Sequence, residues 1–148
     1  MGRDRVRRFR QTGVDRAALD VALTHGIPAG GWCPFGRLAE DGFIDARYPL
    51  EETPTAAYAE RTEWNVRDSD ATLIVCSGAP SGGTALTISF ARRYGRPIHV
   101  VDLDGEADEG ALRHWLQRHQ CINVAGPRES GSPGIYEKSR ALLKRVLA

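Results

Sequence analysis

The chain has 148 residues, 41% of them hydrophobic and 26% charged, with a formal net charge of +1. That length fits one domain over 1–148 whose core needs neither disulfides nor metal, and the near-neutral charge leaves no electrostatic footprint for nucleic acid. No run approaches the roughly 20 apolar residues of a membrane span, no apolar signal segment opens the chain, and Cys33, Cys76 and Cys121 are too few and too far apart for a disulfide framework or zinc knuckle, so a cytoplasmic protein with reduced thiols is expected.

Met1 to Arg10 is rich in arginine, which reads either as a solvated edge or as a phosphate-contacting arm, with a weak first strand around Val6 to Phe9. Gln11-Thr12-Gly13 leads into a helix from Val14 to His25, where Val14, Ala17, Ala18, Val21 and Ala22 form an i, i+3, i+4, i+7, i+8 stripe. Thr12 is its expected cap, with Asp15 as the capping-box partner. A short strand near Ile27 to Gly31 enters a long loop, Trp32 to Tyr48, of the kind that is usually functional or mobile. Thr53 and Pro54 predict the cap and first turn of a helix running to about Arg67. Ala71 to Cys76 is apolar on both faces, as a central parallel strand should be. It passes through Ser81-Gly82-Gly83-Thr84 into a helix carrying Leu86, Phe90 and Tyr94 at i, i+4, i+8. Pro97 to Val101 predicts another buried strand, and Ala107 to Gln120 a helix with Leu112, Trp115, Leu116 and His119 on one side. Cys121 to Ala125 is the last strand, followed by a helix capped by Ser132-Pro133 and packed through Tyr136, Leu143 and Leu147.

Strands alternating with helices over short connections specify an α/β fold, a three-layer Rossmann-like sandwich with a parallel sheet of about five strands. Three strand-to-helix junctions, at Gln11-Thr12-Gly13, Ser81-Gly82-Gly83-Thr84 and Gly131-Ser132-Pro133-Gly134, combine glycine with a small hydroxyl residue. In a parallel sheet they share the carboxyl edge, where free helix amides and close backbone approach suit a phosphate or another oxyanion. Arg61, Asn65 and Asp68 recur at i, i+4, i+7, as a ligand-facing row or a solvated stripe. Arg37, Glu40 and Asp41 either close over the site or brace the long loop, and Arg128 after the last strand is placed to grip an oxyanion. Asp102 and Asp104 read as ribose or Mg²⁺ ligands or as solvated turn residues, and Cys76 as a soft ligand or a buried thiol.

Several blocks carry a family resemblance. Gln11-Thr12-Gly13-Val14-Asp15-Arg16, Gly30-Gly31-Trp32-Cys33-Pro34-Phe35-Gly36-Arg37, Arg61-Thr62-Glu63-Trp64-Asn65-Val66, Ser81-Gly82-Gly83-Thr84 and Asn123-Val124-Ala125-Gly126-Pro127-Arg128-Glu129-Ser130 occur in order over nearly the whole chain. Together they resemble the family named for molybdenum carriage, in the Rossmannoid superfamily that also holds the lonely-guy and YpsA-like proteins. Two positions depart from these patterns. Phe9-Arg10 stands where the family usually has a glycine pair, which restricts how near a ligand comes to the first loop. Against the lonely-guy motif Pro-Gly-Gly-x-Gly-Thr-x-x-Glu, the chain keeps Gly82 and Gly83 but has Ser89 where the catalytic glutamate stands.

The resemblance implies a carrier of molybdenum cofactor or a related phosphorylated, nucleotide-like heterocycle, held for delivery to a molybdoenzyme acceptor, in a homo-oligomer. Ser81, Gly82, Gly83 and Thr84, with Thr12 and Gly13, are the expected phosphate cradle. Arg128 is the expected counter-charge, and Arg61 and Asn65 the readers of the remaining ligand. The alternatives are a nucleotide hydrolase or transferase using Asp15, Glu40 or Glu129, and a nucleotide-sensing subunit.

Overall fold

The structure is a computed structural model, and it describes residues 5–7, 14–39, 42–44, 48 and 50–147. Five parallel strands form the main sheet: β1 (Arg5–Arg7), β2 (Ala29–Gly30), β7 (Ala71–Cys76), β8 (Ile98–Asp102) and β9 (Cys121–Ala125), in the order β2-β1-β9-β7-β8. Two small ladders stand apart from it, β3 (Trp32–Cys33) with β6 (Glu51–Glu52) and β4 (Leu38–Ala39) with β5 (Gly42–Phe43). The helices are α1 (Val14–Thr24), α2 (Tyr58–Arg67), α3 (Gly82–Arg93), α4 (Glu109–Gln117) and α5 (Ile135–Leu147).

The period-2 alternation of the central strands sorts the helices into layers. Leu73, Val75, Ile122 and Val124 face one way, into a core built with Val14, Ala18 and Val21 of α1, Leu112, Trp115 and Leu116 of α4, and Leu142, Leu143 and Val146 of α5. Ile74, Cys76 and Ala125 face the other way, towards Ile88 of α3, beside a cluster of Val66 from α2 with Phe90 and Ala91 from α3. The three-layer Rossmann-like sandwich is therefore present.

Several boundaries differ from the expectations. The first strand lies at Arg5–Arg7 and the second at Ala29–Gly30. The expected buried strand at Pro97 to Val101 is β8, an edge strand in which only Val101 is buried. The stripe of α4 holds for Leu112, Trp115 and Leu116, whereas the helix ends at Gln117, and His119, beyond it, meets Trp115 edge-on with ring centres 4.8 Å apart. α2 opens at Tyr58 rather than Thr53 because Thr53 is bound elsewhere: its amide and hydroxyl donate to the Cys33 carbonyl at 2.8 and 3.3 Å, tying it to β3. Thr55 and Glu60 brace the helix start instead. At α5, the carboxylate of Glu129 takes the amides of Gly134 and Tyr136 at 2.5 and 2.9 Å, the capping role expected of Ser132. Thr12 lies outside the described residues.

Among the described residues of the long loop, Arg37 ties three carbonyls together. Arg37, at φ +54°, donates to the carbonyls of Ile44, Tyr48 and Leu50 at 3.1 to 3.4 Å. The hydroxyls of Tyr48 and Tyr136 both donate to Asp20, which joins this loop to α1 and α5. Arg37 thus braces the loop; Glu40 and Asp41 lie outside the described residues.

Candidate functional site

β7 and β9 are neighbours in the sheet, yet α3 and α5, the helices that follow them, lie on opposite faces. Connections that diverge in this way leave a crevice at the carboxyl edge, the position where open α/β sheets take ligands. A cavity of about 360 Å³ opens there, between the loops after β7 and β9 and the first turn of α2. The volume is in the lower part of the range for small-molecule sites.

Gly126 permits the crevice to exist. A Cβ there would stand 2.1 Å from the Val75 carbonyl oxygen and 2.6 Å from Val14 Cγ2, so β9, β7 and α1 converge on a residue without a side chain. Across the crevice, Ser81 is the extended N-cap of α3 and Gly82 turns the chain at φ +54°. Ser81 carbonyl accepts from Thr84 and Ala85, while the amides of Gly82 and Gly83 donate to nothing among the described residues. They are the orphan donors of a helix N-terminus, at the positive end of its dipole. A Cβ on Gly83 meets nothing within 4 Å, so the space above this backbone is open to a guest.

Ser81, Gly83, Thr84, Arg61 and Arg128 are brought together as cavity lining; Gly82 lies beside them and sets the turn. Arg61 is only 4% exposed, held by Nε donating to Tyr58 carbonyl and Thr62 Oγ1 at 3.1 and 3.0 Å. The guanidinium carbons of Arg61 and Arg128 stand 4.9 and 5.0 Å from the centre of the same Tyr58 ring. Cation–π contact of this kind aligns two positive groups that would otherwise repel. Thr12 and Gly13 are outside the described residues.

Asn65 is not among this lining. It is fully buried, accepts from the Trp32 amide at 2.9 Å and donates to the Trp32 carbonyl at 3.1 Å, clamping β3 to α2. Asp68 likewise accepts from Trp32 Nε1 at 2.9 Å and from Arg67 at 2.8 Å. The i, i+4 spacing was read from sequence, but the partner of that face, a main chain 33 residues earlier, was not visible in it.

Asp102 and Asp104 are loop braces. Asp102 Oδ1 accepts from the Gly78 and Asp104 amides, both at 2.9 Å, and these bonds hold its carboxyl below the usual range. Asp104 accepts from Ser77 at 2.7 Å. Cys76 floors the cavity with its thiol directed at the Gly78 carbonyl; burial, with Asp102 and Asp104 nearby, pushes its pKa up and keeps it protonated. Glu129 is committed to α5, as described above.

Sequence reasoning missed two residues of the cavity wall, Tyr58 and Leu86, which are 39% and 37% exposed. Tyr58 was absorbed into the expected helix, and Leu86 into a core stripe. The available signal for Leu86 was its place only one turn after a glycine-rich loop.

The sequence profile of the circularly permutated YpsA SLOG family matches residues 10–147. The chain belongs to that family. A solved member-like structure, the "Putative molybdenum carrier protein" from Syntrophus aciditrophicus SB, superposes with a TM-score of 0.94 at 45% identity, covering 99% of this chain and 96% of the other. No curated protein matches the chain. The permutation is visible in the YpsA SLOG topology itself. Starting the count at β9 and continuing through α5 to β1, the sheet order β2-β1-β9-β7-β8 becomes 3-2-1-4-5, the order of the doubly wound Rossmann sheet. The loop carrying Gly126 and Arg128 then takes the place of the first strand-to-helix turn, and the crevice falls at the switch point between strands one and four.

Proposed function

We propose that this protein is a carrier that binds a small phosphorylated heterocycle, molybdenum cofactor or a close chemical relative, in the cavity between β7 and β9. One observation carries the reading: the unengaged amide of Gly83 and the guanidinium of Arg128 line one cavity, with the Gly82 amide beside it and an exposed aromatic ring on its wall. Amides and Arg128 hold the phosphate. Tyr58 and Leu86 supply a flat apolar surface for a ring, and buried Arg61 supplies a fixed positive charge beneath it. The name of the Syntrophus relative supports the same cargo. On this reading the protein works in the cytoplasm, where its free Cys33, Cys76 and Cys121 stay reduced, and hands its cargo to a molybdoenzyme.

The test is native mass spectrometry of protein purified without added ligand, with the released material identified and molybdenum measured in parallel. A pterin or molybdenum signal that disappears in Gly83→Ala is the expected result. A nucleotide without molybdenum, lost in the same variant, would reassign the cavity to the nucleotide readings.

A further inference from the structure

Arg128 stands on a fixed turn: its carbonyl accepts from the Gly131 and Ser132 amides, both at 3.1 Å, so the main chain is set while the long, exposed side chain keeps its own torsions. The guanidinium carbon lies 5.0 Å from the centre of the Tyr58 ring. That ring belongs to the first residue of α2, a different element from the loop after β9, and both residues line the cavity. Tyr58 is itself held from within α2. Buried Arg61 donates from Nε to the Tyr58 carbonyl at 3.1 Å and to Thr62 Oγ1 at 3.0 Å, and its guanidinium carbon stands 4.9 Å from the same ring. Support therefore runs outward, from buried Arg61 through Tyr58 to exposed Arg128.

We infer that Tyr58 is a positioning residue, whose ring holds the Arg128 guanidinium at the cavity, ready for a phosphate at the Gly83 amide. This rests on the reading of the cavity as an anion site and adds a residue that acts on cargo through another. A long cation loses rotamer freedom when it closes on an anion, and a contact that already selects the bound rotamer removes part of that cost. The contact uses the face of the ring and not the hydroxyl, so phenylalanine can supply it and leucine cannot. The role is separate from the flat surface that Tyr58 offers a heterocycle, because it acts on a phosphate that carries no ring.

Inorganic phosphate is therefore the probe, titrated into the full chain and followed at the Gly83 amide by NMR, with AMP titrated in parallel. Tyr58→Leu is expected to weaken phosphate about threefold, the ratio that an exposed cation–π contact supplies. Tyr58→Phe should restore the wild-type affinity, and Tyr58→Leu added to Arg128→Met should cost nothing beyond the loss from Arg128→Met alone. Weakening of AMP with phosphate unchanged would leave Tyr58 as a stacking surface only and overturn the positioning role. So would Tyr58→Phe as weak as Tyr58→Leu, or an equal loss with and without Arg128, which would place the effect in the shape of the cavity. Wild-type protein whose Gly83 amide responds to neither phosphate nor AMP overturns the anion site itself, and the positioning role with it.

Discussion

Gly82 and Gly83 are adjacent and serve different ends. Gly82 holds φ +54°, a region in which an L side chain costs on the order of 1 kcal/mol, whereas Gly83 has an ordinary backbone and open space where a Cβ would be. Gly82→Ala is therefore expected to lower the midpoint of urea denaturation, and Gly83→Ala to leave it in place while ligand uptake falls. Equal midpoints with equal uptake in the two variants would contradict this division. Gly126 is a third case. Its missing Cβ would meet the Val75 carbonyl at 2.1 Å, a main-chain atom that no rotamer change can move away. Gly126→Ala should cost about 3 kcal/mol in denaturant titration, in the range of overpacked cores.

At the scale of elements, Asn65 shows how a binding-competent side chain becomes structural. Removing it in Asn65→Ala leaves the part-buried amide and carbonyl of Trp32 without their partner, a loss of about 1–3 kcal/mol. The expected signature is a lower melting temperature with uptake retained; intact stability with lost uptake would move Asn65 into the site. The loop after β7 depends on Asp102 in a pH-dependent way. Its carboxyl titrates lower in the folded chain than in the unfolded one, so the stabilisation is full above the unfolded pKa and disappears as pH falls through the folded one. Asp102→Asn should flatten that acid limb of the stability curve, measured by thermal melts across the acid range.

These elements also show what sequence can carry. β7 and β9 were legible to the residue because an apolar run flanked by turn residues has one good use in a parallel sheet. The glycine turn and Arg128 were legible as neighbours at the carboxyl edge because each directly follows a strand end, and both line the cavity there. The start of α2 and the role of Asn65 were not, since Thr53 and Asn65 both bind the main chain of β3, and long-range partners leave no periodic trace. Leu86 fitted a helical stripe, and only the crevice beside it decides that the side chain stays at the surface.

For the whole molecule, the sheet order is the Rossmann order entered at its second strand. The helix that covers the missing connection, α5, packs on α1, and β1 pairs with β9. A chain reopened between Arg118 and Gln120, with residue 148 joined to residue 1 by a flexible linker, should fold to the same far-UV circular dichroism and melt cooperatively. A loss of cooperativity in that variant would show that the order of synthesis is needed for the fold and not only tolerated.

The placement of β9 has a consequence for when the protein becomes competent. It is the middle strand of the sheet and the last strand to be synthesised among the described residues, so until it appears β1 and β2 are not joined to β7 and β8 in one sheet. Isolated strand pairs are marginal in water, and the wall carrying Arg128 does not yet exist. On the carrier reading proposed above, a chain stopped before β9 lacks the cavity wall that carries Arg128 and is expected not to retain cargo.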